Sequence, residues 1–300
     1  MENQQPGSVI ADTPFDSLQE QSYRDWREQK LQDYPRKLDQ LVVEIKDPLN
    51  LTDNEFQALM KRLRKTNMAI YAGPGDPDSD RDMVRGLARR FGLEHLDNHM
   101  GADDDAISSL TVQQDALHKG FIPYTTRPIA WHTDGYYNDP EHQILGMVLH
   151  CVRPASEGGA NQLLDHEILY MMLRDRDPRY IQSLMHPEAM TIPENVMDGE
   201  LVRPARTGPV FSILPGGQLH MRYTDRSRSI LWRDDPMTRE AVEALKALLK
   251  SESPYRFEGR LAPGQGLICN NVLHTRSGFE DTNEGRLLYR ARYYDRIAGT

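Results

Sequence analysis

Hydrophobic patterning changes character along the chain at about residue 121. Before that point apolar residues recur at helical spacing. Phe56, Leu59, Met60 and Leu63 follow Thr52-Asp53-Asn54-Glu55, which has the form of a capping box. Met83, Leu87 and Phe91 share one face of a helix predicted over residues 79–91, with Ser79 as its N-cap. A short helix is expected over residues 25–32, anchored by Trp26 and Leu31. Strands are read at 41–45 and at 67–71, the second running into Gly73-Pro74-Gly75. Residues 1–20 are polar and read as a loose N-terminal tail.

From residue 121 onward, short apolar runs are broken by Gly, Pro, Asn and Asp. They lie at 128–132, 143–151, 161–164, 210–214, 218–223, 266–270 and 286–294. Many short strands with regular turns predict an antiparallel sandwich or barrel. Helices interrupt the series at 166–176 and at 238–250, the latter capped by Thr238 with Ala241, Leu245, Leu248 and Leu249 inward. No segment resembles an interdomain linker, so residues 1–300 are read as one domain. Its expected fold is mainly β with flanking α-helices, a double-stranded β-helix (jelly roll).

Composition narrows the function classes. Apolar residues make up 38% of the 300-residue chain, and no apolar run approaches the ~20 residues that a membrane helix needs. The N-terminus lacks a secretory signal pattern. Two cysteines, Cys151 and Cys269, suit a reducing cytoplasm rather than a disulfide scaffold. A net charge of −9 argues against broad affinity for nucleic acid or anionic membrane. The basic run Lys61-Arg62-Leu63-Arg64-Lys65 reads as the solvated face of a helix.

Candidate chemistry begins at WHTDGYYN, residues 131–138. His132 and Asp134 are two apart, so on a strand they project to one face, and the turn at Gly135 puts them at a strand end. His274 follows the apolar run 266–270, and jelly-roll topology can bring it to the same place. Two imidazoles and one carboxylate leave one side of Fe(II) open, whereas structural zinc is closed by four ligands. A lone HxD is a weak signal: His95-Leu96-Asp97 and His186-Pro187-Glu188 have similar form, and both are assigned to surface or capping roles.

The arginines after His274 strengthen the case. Arg286, Arg290 and Arg292 have even spacing and share one strand face, with Tyr289, Ala291 and Tyr293 on the other. A guanidinium grips a carboxylate with two parallel hydrogen bonds, as the far end of a dicarboxylic keto acid requires. The alternative, a row of surface ion pairs, is favoured for Arg292 and not for Arg286.

Four pieces together resemble the taurine dioxygenase family, which includes 2,4-dichlorophenoxyacetate dioxygenase, with some likeness to gamma-butyrobetaine hydroxylase. They are WHTDGYYN (131–138), LHCVRPASEGGANQLLD (149–165), NNVLHTR (270–276) and RLLYRAR (286–292). The resemblance implies a jelly roll using Fe(II), 2-oxoglutarate and O₂ to hydroxylate a C–H bond, with succinate and CO₂ released. It places the metal on His132, Asp134 and His274. It places the distal carboxylate of 2-oxoglutarate on Arg286. Arg290 matches an arginine that holds the substrate sulfonate in taurine dioxygenase and that can serve the cosubstrate in relatives.

Two departures matter. Ala160-Asn161 stands where the family often has an acidic residue and a threonine touching 2-oxoglutarate, and Asn161 can still donate a hydrogen bond. Ile129 stands near a polar substrate contact of taurine dioxygenase, which argues against taurine.

Tyr124, Tyr136, Tyr137, Asn138 and Arg290 are candidates for a pocket that takes a small anionic or zwitterionic substrate. The tyrosines equally suit a cation–π cage or core filling. Two rival functions stand: an iron oxidase that does not use 2-oxoglutarate, and a binding protein that has lost catalysis. No interface signature is visible, and a homo-oligomer remains open.

Overall fold

The computed structural model describes residues 13–75, 81–98, 106–112, 122–197, 199–226, 230–281 and 285–300. Its framework is two facing β-sheets. The six-stranded sheet has the order Val42–Glu44, Met68–Ala72, Gln265–Cys269, Gly146–Arg153, Leu287–Tyr293 and Ile107–Leu110. Its first pair is parallel and the rest are antiparallel. The four-stranded sheet has the order Phe257–Gly259, Asn161–Leu164, Leu273–Arg276 and Ile129–His132, all antiparallel.

Side-chain alternation divides the large sheet between two cores. Met68, Ile70, Met147, Leu149, Cys151, Leu267, Cys269 and Leu288 face inward and belong to one core that also includes Trp131, Leu163, Leu164 and Leu273 of the small sheet. Their neighbours in sequence, Ala69, Tyr71, Val148, Ile268, Ala291 and Tyr293, face outward. The helices Asp53–Thr66 and Arg81–Arg89 cover that outer face with Leu59, Met60, Leu63, Val84 and Leu87. Strands covered on both faces read as continuous apolar runs, and this is why 143–151 and 266–270 were visible in the sequence.

Most predicted elements are present, with shifted ends. The capping box forms: Thr52 Oγ1 accepts from Glu55 N, and the Glu55 carboxylate accepts from Thr52 N. Such a cap contributes about 1 kcal/mol. The first helix starts earlier than expected, spanning Glu20–Leu31. The strand expected from 67 begins at Met68, because Asn67 adopts a left-handed conformation that ends the preceding helix.

Thr238 does not cap its helix. Asp235 does, accepting from Thr238 N, because Pro236 occupies the first helical turn and moves the start upstream. Ser79 lies outside the described residues. The helix Pro178–Leu184 and the small strands at 190–208 were not anticipated, being short and poorly periodic.

The loose tail is also shorter than expected. Residues 1–12 lie outside the described residues, but Phe15 is buried, packs edge-on against Trp26 and Tyr170, and its carbonyl accepts from Tyr170 Oη.

His150 is buried on the outer face of the large sheet, stacked on Tyr71, with its pKa lowered to about 4 by burial. Below its unfolded value near 6.5 the unfolded chain binds a proton that the folded imidazole refuses. Stability therefore falls as pH drops from about 6.5 toward 4, by up to ~1.4 kcal/mol per pH unit for this group. Thermal melts between pH 7 and 4.5 should show a gentler slope for His150→Gln than for the natural chain. Equal slopes would exclude this histidine as a source.

Candidate metal centre and cosubstrate site

His132 ends the edge strand Ile129–His132 of the small sheet, and His274 lies on the neighbouring Leu273–Arg276. The two are register partners across the antiparallel pair. Directly opposed residues point to one face, and the imidazole centroids are 4.2 Å apart. A register shift follows between His274 and Arg276, which pairs with Ile129. Such irregularities re-aim side chains near functional sites.

Asp134 sits just past the strand end. His132, Asp134 and His274 each offer a ligand atom, and all three atoms lie within 4.8 Å of one another. Among the described residues this is the one cluster of three or more such groups.

The backbone fixes the orientation of these side chains. Nδ1 of His132 is 2.9 Å from Ala130 O, and Nδ1 of His274 is 2.9 Å from Val272 O. Each ring thus uses its Nδ1–H on a carbonyl two residues back, leaving Nε2 as the free donor atom. Burial, then the neighbouring His132, lowers His274 to about 4, so its imidazole stays neutral and able to ligate near pH 7.

Burial opposes the charge on Asp134, but Arg290, the adjacent His132 imidazole, Arg292 and His274 together hold its carboxyl well below the usual range. Asp134 Oδ2 is buried and, among the described residues, accepts no hydrogen bond. Two free Nε2 atoms and an unbonded carboxylate oxygen are what a 2-His-1-carboxylate iron site requires, so the residues fit the ion.

Asn271 completes the support, and sequence reasoning missed it. Its Oδ1 accepts from Asp134 N at 2.8 Å, and its Nδ2 donates to Asp134 O at 2.9 Å and Ile144 O at 2.7 Å. It adopts a left-handed conformation (φ 47°), which Asn tolerates better than most residues. The only sequence signal was the Asn pair three residues before His274. Gly135 also has positive φ (65°), and a Cβ there would fall 2.3 Å from Ile144 Cγ1. The turn after Asp134 therefore requires glycine.

The arginine face of Leu287–Tyr293 points inward, beside Leu288. Arg290 Nη1 lies 3.4 Å from both Asp134 oxygens. Arg286 is buried, and among the described residues its guanidinium has no hydrogen-bond or ion-pair partner. It lies 5.2 Å from the Phe279 ring centroid, and burial lowers its pKa to about 10. It lines a small cavity with Asn161, Cys151, Gly159, Arg260 and Leu288. Asn161 Nδ2 donates to Thr275 O at 2.8 Å. A buried cation without an anion is costly, and a cosubstrate carboxylate is a suitable counter-ion.

Other expectations are corrected. Arg292 makes no surface pair: it is buried and bonded to buried Asp97, with Tyr137 Oη accepting from its Nη1 at 3.1 Å. Asp97 is accordingly not a surface residue, and it also accepts from Tyr294 Oη at 2.7 Å. His95 is exposed and pairs with Asp295. His186 accepts from Glu188 N, a local turn contact.

Tyr124 is buried in the inner core, and Tyr136 and Tyr137 pack partly buried against it. Asn138 spends its amide on His142 O, holding the turn. Arg276, which had no assigned role, is buried and donates to the carbonyls of Pro123, Thr125 and Arg127, tying the 122–127 segment to the site.

A jelly roll with a buried 2-His-1-carboxylate cluster defines the broad class of non-heme iron oxygenases. Residues 30–292 match the family described as "Taurine catabolism dioxygenase TauD, TfdA family", and the chain belongs to that family. It is 34% identical over 187 residues to a uridine-5'-phosphate dioxygenase of Amycolatopsis sp., across 59% of this chain and 64% of the relative. It is 29% identical over 199 residues to one of Streptomyces sp., across 63% and 69%. The chain thus spans somewhat less than two thirds of the Amycolatopsis relative.

Similar solved structures include the non-heme iron oxygenase OrfP with Fe, succinate and (3S)-hydroxy-L-Arg, at TM-score 0.59, 16% identity and 81% coverage of both chains. Another is asparagine oxygenase with Fe(II), 2S,3S-3-hydroxyasparagine and succinate, at TM-score 0.56, 16% identity, and 80% and 81% coverage. At those identities the likeness supports the jelly-roll fold.

Supporting residues around metal ligands typically change metal affinity by roughly ten- to a hundredfold. Asn271→Ala should weaken Fe(II) binding in an anaerobic titration by that order, because Asp134 loses both backbone contacts to this side chain. Unchanged affinity would show that Asn271 does not hold the ligand.

Proposed function

We propose that this chain is an Fe(II)- and 2-oxoglutarate-dependent dioxygenase that oxidises a C–H bond of a small anionic substrate. The observation that carries the reading is the convergence of His132, Asp134 and His274, with Asp134 Oδ2 unbonded among the described residues, beside the inward-facing Arg286 and Arg290. His132, Asp134 and His274 would hold the iron. Arg286, with Asn161 nearby, would hold the distal carboxylate of 2-oxoglutarate. When bound, iron with 2-oxoglutarate and O₂ supplies the oxidising power for C–H cleavage, giving hydroxylated product, succinate and CO₂.

The remaining work falls to the protein. Burial of His132, Asp134 and His274 limits the access of bulk water to the reacting centre. Arg290 orients the Asp134 carboxylate and adds positive potential where an anionic substrate docks. Gly135 and Asn271 keep the turn that carries Asp134 close to the strand pair.

A nucleoside 5'-phosphate is the leading substrate class. The curated relatives named uridine-5'-phosphate dioxygenase support it, as does the local excess of arginine in a chain of net charge −9. Among the described residues no helix is long and apolar enough to cross a membrane. Two buried free thiols suit a reducing cytoplasm. Both cores share the large sheet, which supports treating the chain as one domain.

The test is succinate release from 2-oxoglutarate under air, with Fe(II) and uridine 5'-monophosphate as the first of a panel of small anions. Substrate-dependent succinate is expected, and Asp134→Ala should abolish it. Arg286→Gln should raise the KM for 2-oxoglutarate about ten- to a hundredfold, the usual cost of a lost charge-assisted contact. No succinate with any substrate, and no charge-transfer band on anaerobic addition of Fe(II) and 2-oxoglutarate, would overturn the assignment.

A further inference from the structure

We propose that Arg203 and Arg206 grip the phosphate of a phosphate-monoester substrate, on the wall that faces the segment leading away from Asp134. The inference deepens the function proposed above and rests on its reading of a small anion oxidised at the His132–Asp134–His274 centre.

Placement is the first argument. Arg203 ends the strand Glu200–Arg203, and Arg206 opens Arg206–Gly208, which pairs with Met190–Ile192. Arg222 welds this region to the metal-site turn. Its Nη2 donates to Met190 O and Gly208 O, and its Nη1 donates to Arg206 O at 3.3 Å and Tyr136 O at 3.5 Å. The backbone of Arg206 is therefore tied to a residue two positions past Asp134. Arg203 Cζ also lies 6.0 Å from the Tyr137 ring centroid, while Tyr137 Oη accepts from Arg292 beside the metal cluster.

Unused binding capacity is the second. Arg206 Nε is buried and has no partner among the described residues. Its nearest carboxylate, Asp139 Oδ2, stands 3.5 Å from Nη2, and Asp139 is also engaged by His142. Arg203 donates to the carbonyls of Pro204 and Pro193 and, among the described residues, has no carboxylate partner. Arg292, by contrast, is neutralised by Asp97, and Arg290 faces Asp134.

Charge is the third. Iron and 2-oxoglutarate carry opposite and equal charges, so binding both leaves the surrounding arginines in excess. Two guanidiniums in one wall match the charge and planar hydrogen-bond geometry of a phosphate monoester better than those of a single carboxylate.

The experiment is calorimetric titration of the anaerobic Fe(II)–2-oxoglutarate protein with uridine 5'-monophosphate, uridine and inorganic phosphate. The natural chain should bind the monophosphate at least about tenfold more tightly than uridine, with inorganic phosphate competing. Arg203→Gln and Arg206→Gln should each lose roughly tenfold or more for the monophosphate and little for uridine. Arg203→Lys and Arg206→Lys should lie between. The charge-transfer band and thermal midpoint report whether each variant still folds and loads; if a glutamine variant fails either check, the lysine variant is read in its place.

Equal affinity for uridine and its monophosphate, or variants that bind the monophosphate as the natural chain does, would overturn the proposal. If succinate forms with a different substrate while phosphate compounds do not bind, only the phosphate site is lost. If no succinate forms with any substrate but monophosphate binding depends on Arg203 and Arg206, the site stands and the dioxygenase reading falls.

Discussion

Two imidazoles on neighbouring antiparallel strands, each hydrogen-bonded through Nδ1 to a carbonyl two residues earlier, are the constraint on which the site depends. A neutral histidine has one donor and one acceptor nitrogen. Committing the donor to the backbone settles the tautomer and aims the acceptor at one point. Because the two residues oppose each other in register, both acceptors reach the same point. Asp134 then needs only a tight turn to arrive there, which Gly135 makes possible and Asn271 secures.

The surrounding charges follow from this geometry. A buried carboxylate requires compensation before any metal arrives, and Arg290 supplies part of it. Arg290 is fixed in turn by the strand that carries Arg292 and follows Arg286, so three buried cations lie at even spacing between the sheets. Their treatment differs. Arg292 has Asp97 and Tyr137, Arg290 has Asp134, and the Arg286 guanidinium has no ion-pair partner among the described residues. Alternation placed all three alike, and the neighbouring elements gave each different surroundings.

Buried arginines also have a purely architectural use here. Arg222 donates to backbone carbonyls at the ends of two short paired strands, and Arg276 to carbonyls of the irregular 122–127 segment. A buried carbonyl left without a donor costs about 1–3 kcal/mol. One side chain with five N–H groups holds several strands of irregular chain at once. The long connections of a jelly roll can in this way be rigid enough to form one wall of a site.

The sequence by itself determined the features that local physics controls. The His132–Asp134 pair, the even spacing of Arg286, Arg290 and Arg292, the capping box at Thr52 and the apolar runs of the covered strands were all legible, because strand alternation and helix capping act over a few residues. Tertiary structure alone decided what depends on long-range pairing. It brought His274 opposite His132, 142 residues earlier. It buried Asp97 against Arg292, set Asn271 under Asp134, and turned Arg222 into a tie between distant carbonyls. In each case the deciding partner lies on another element, so nothing in the local pattern can distinguish a surface charge from a buried one.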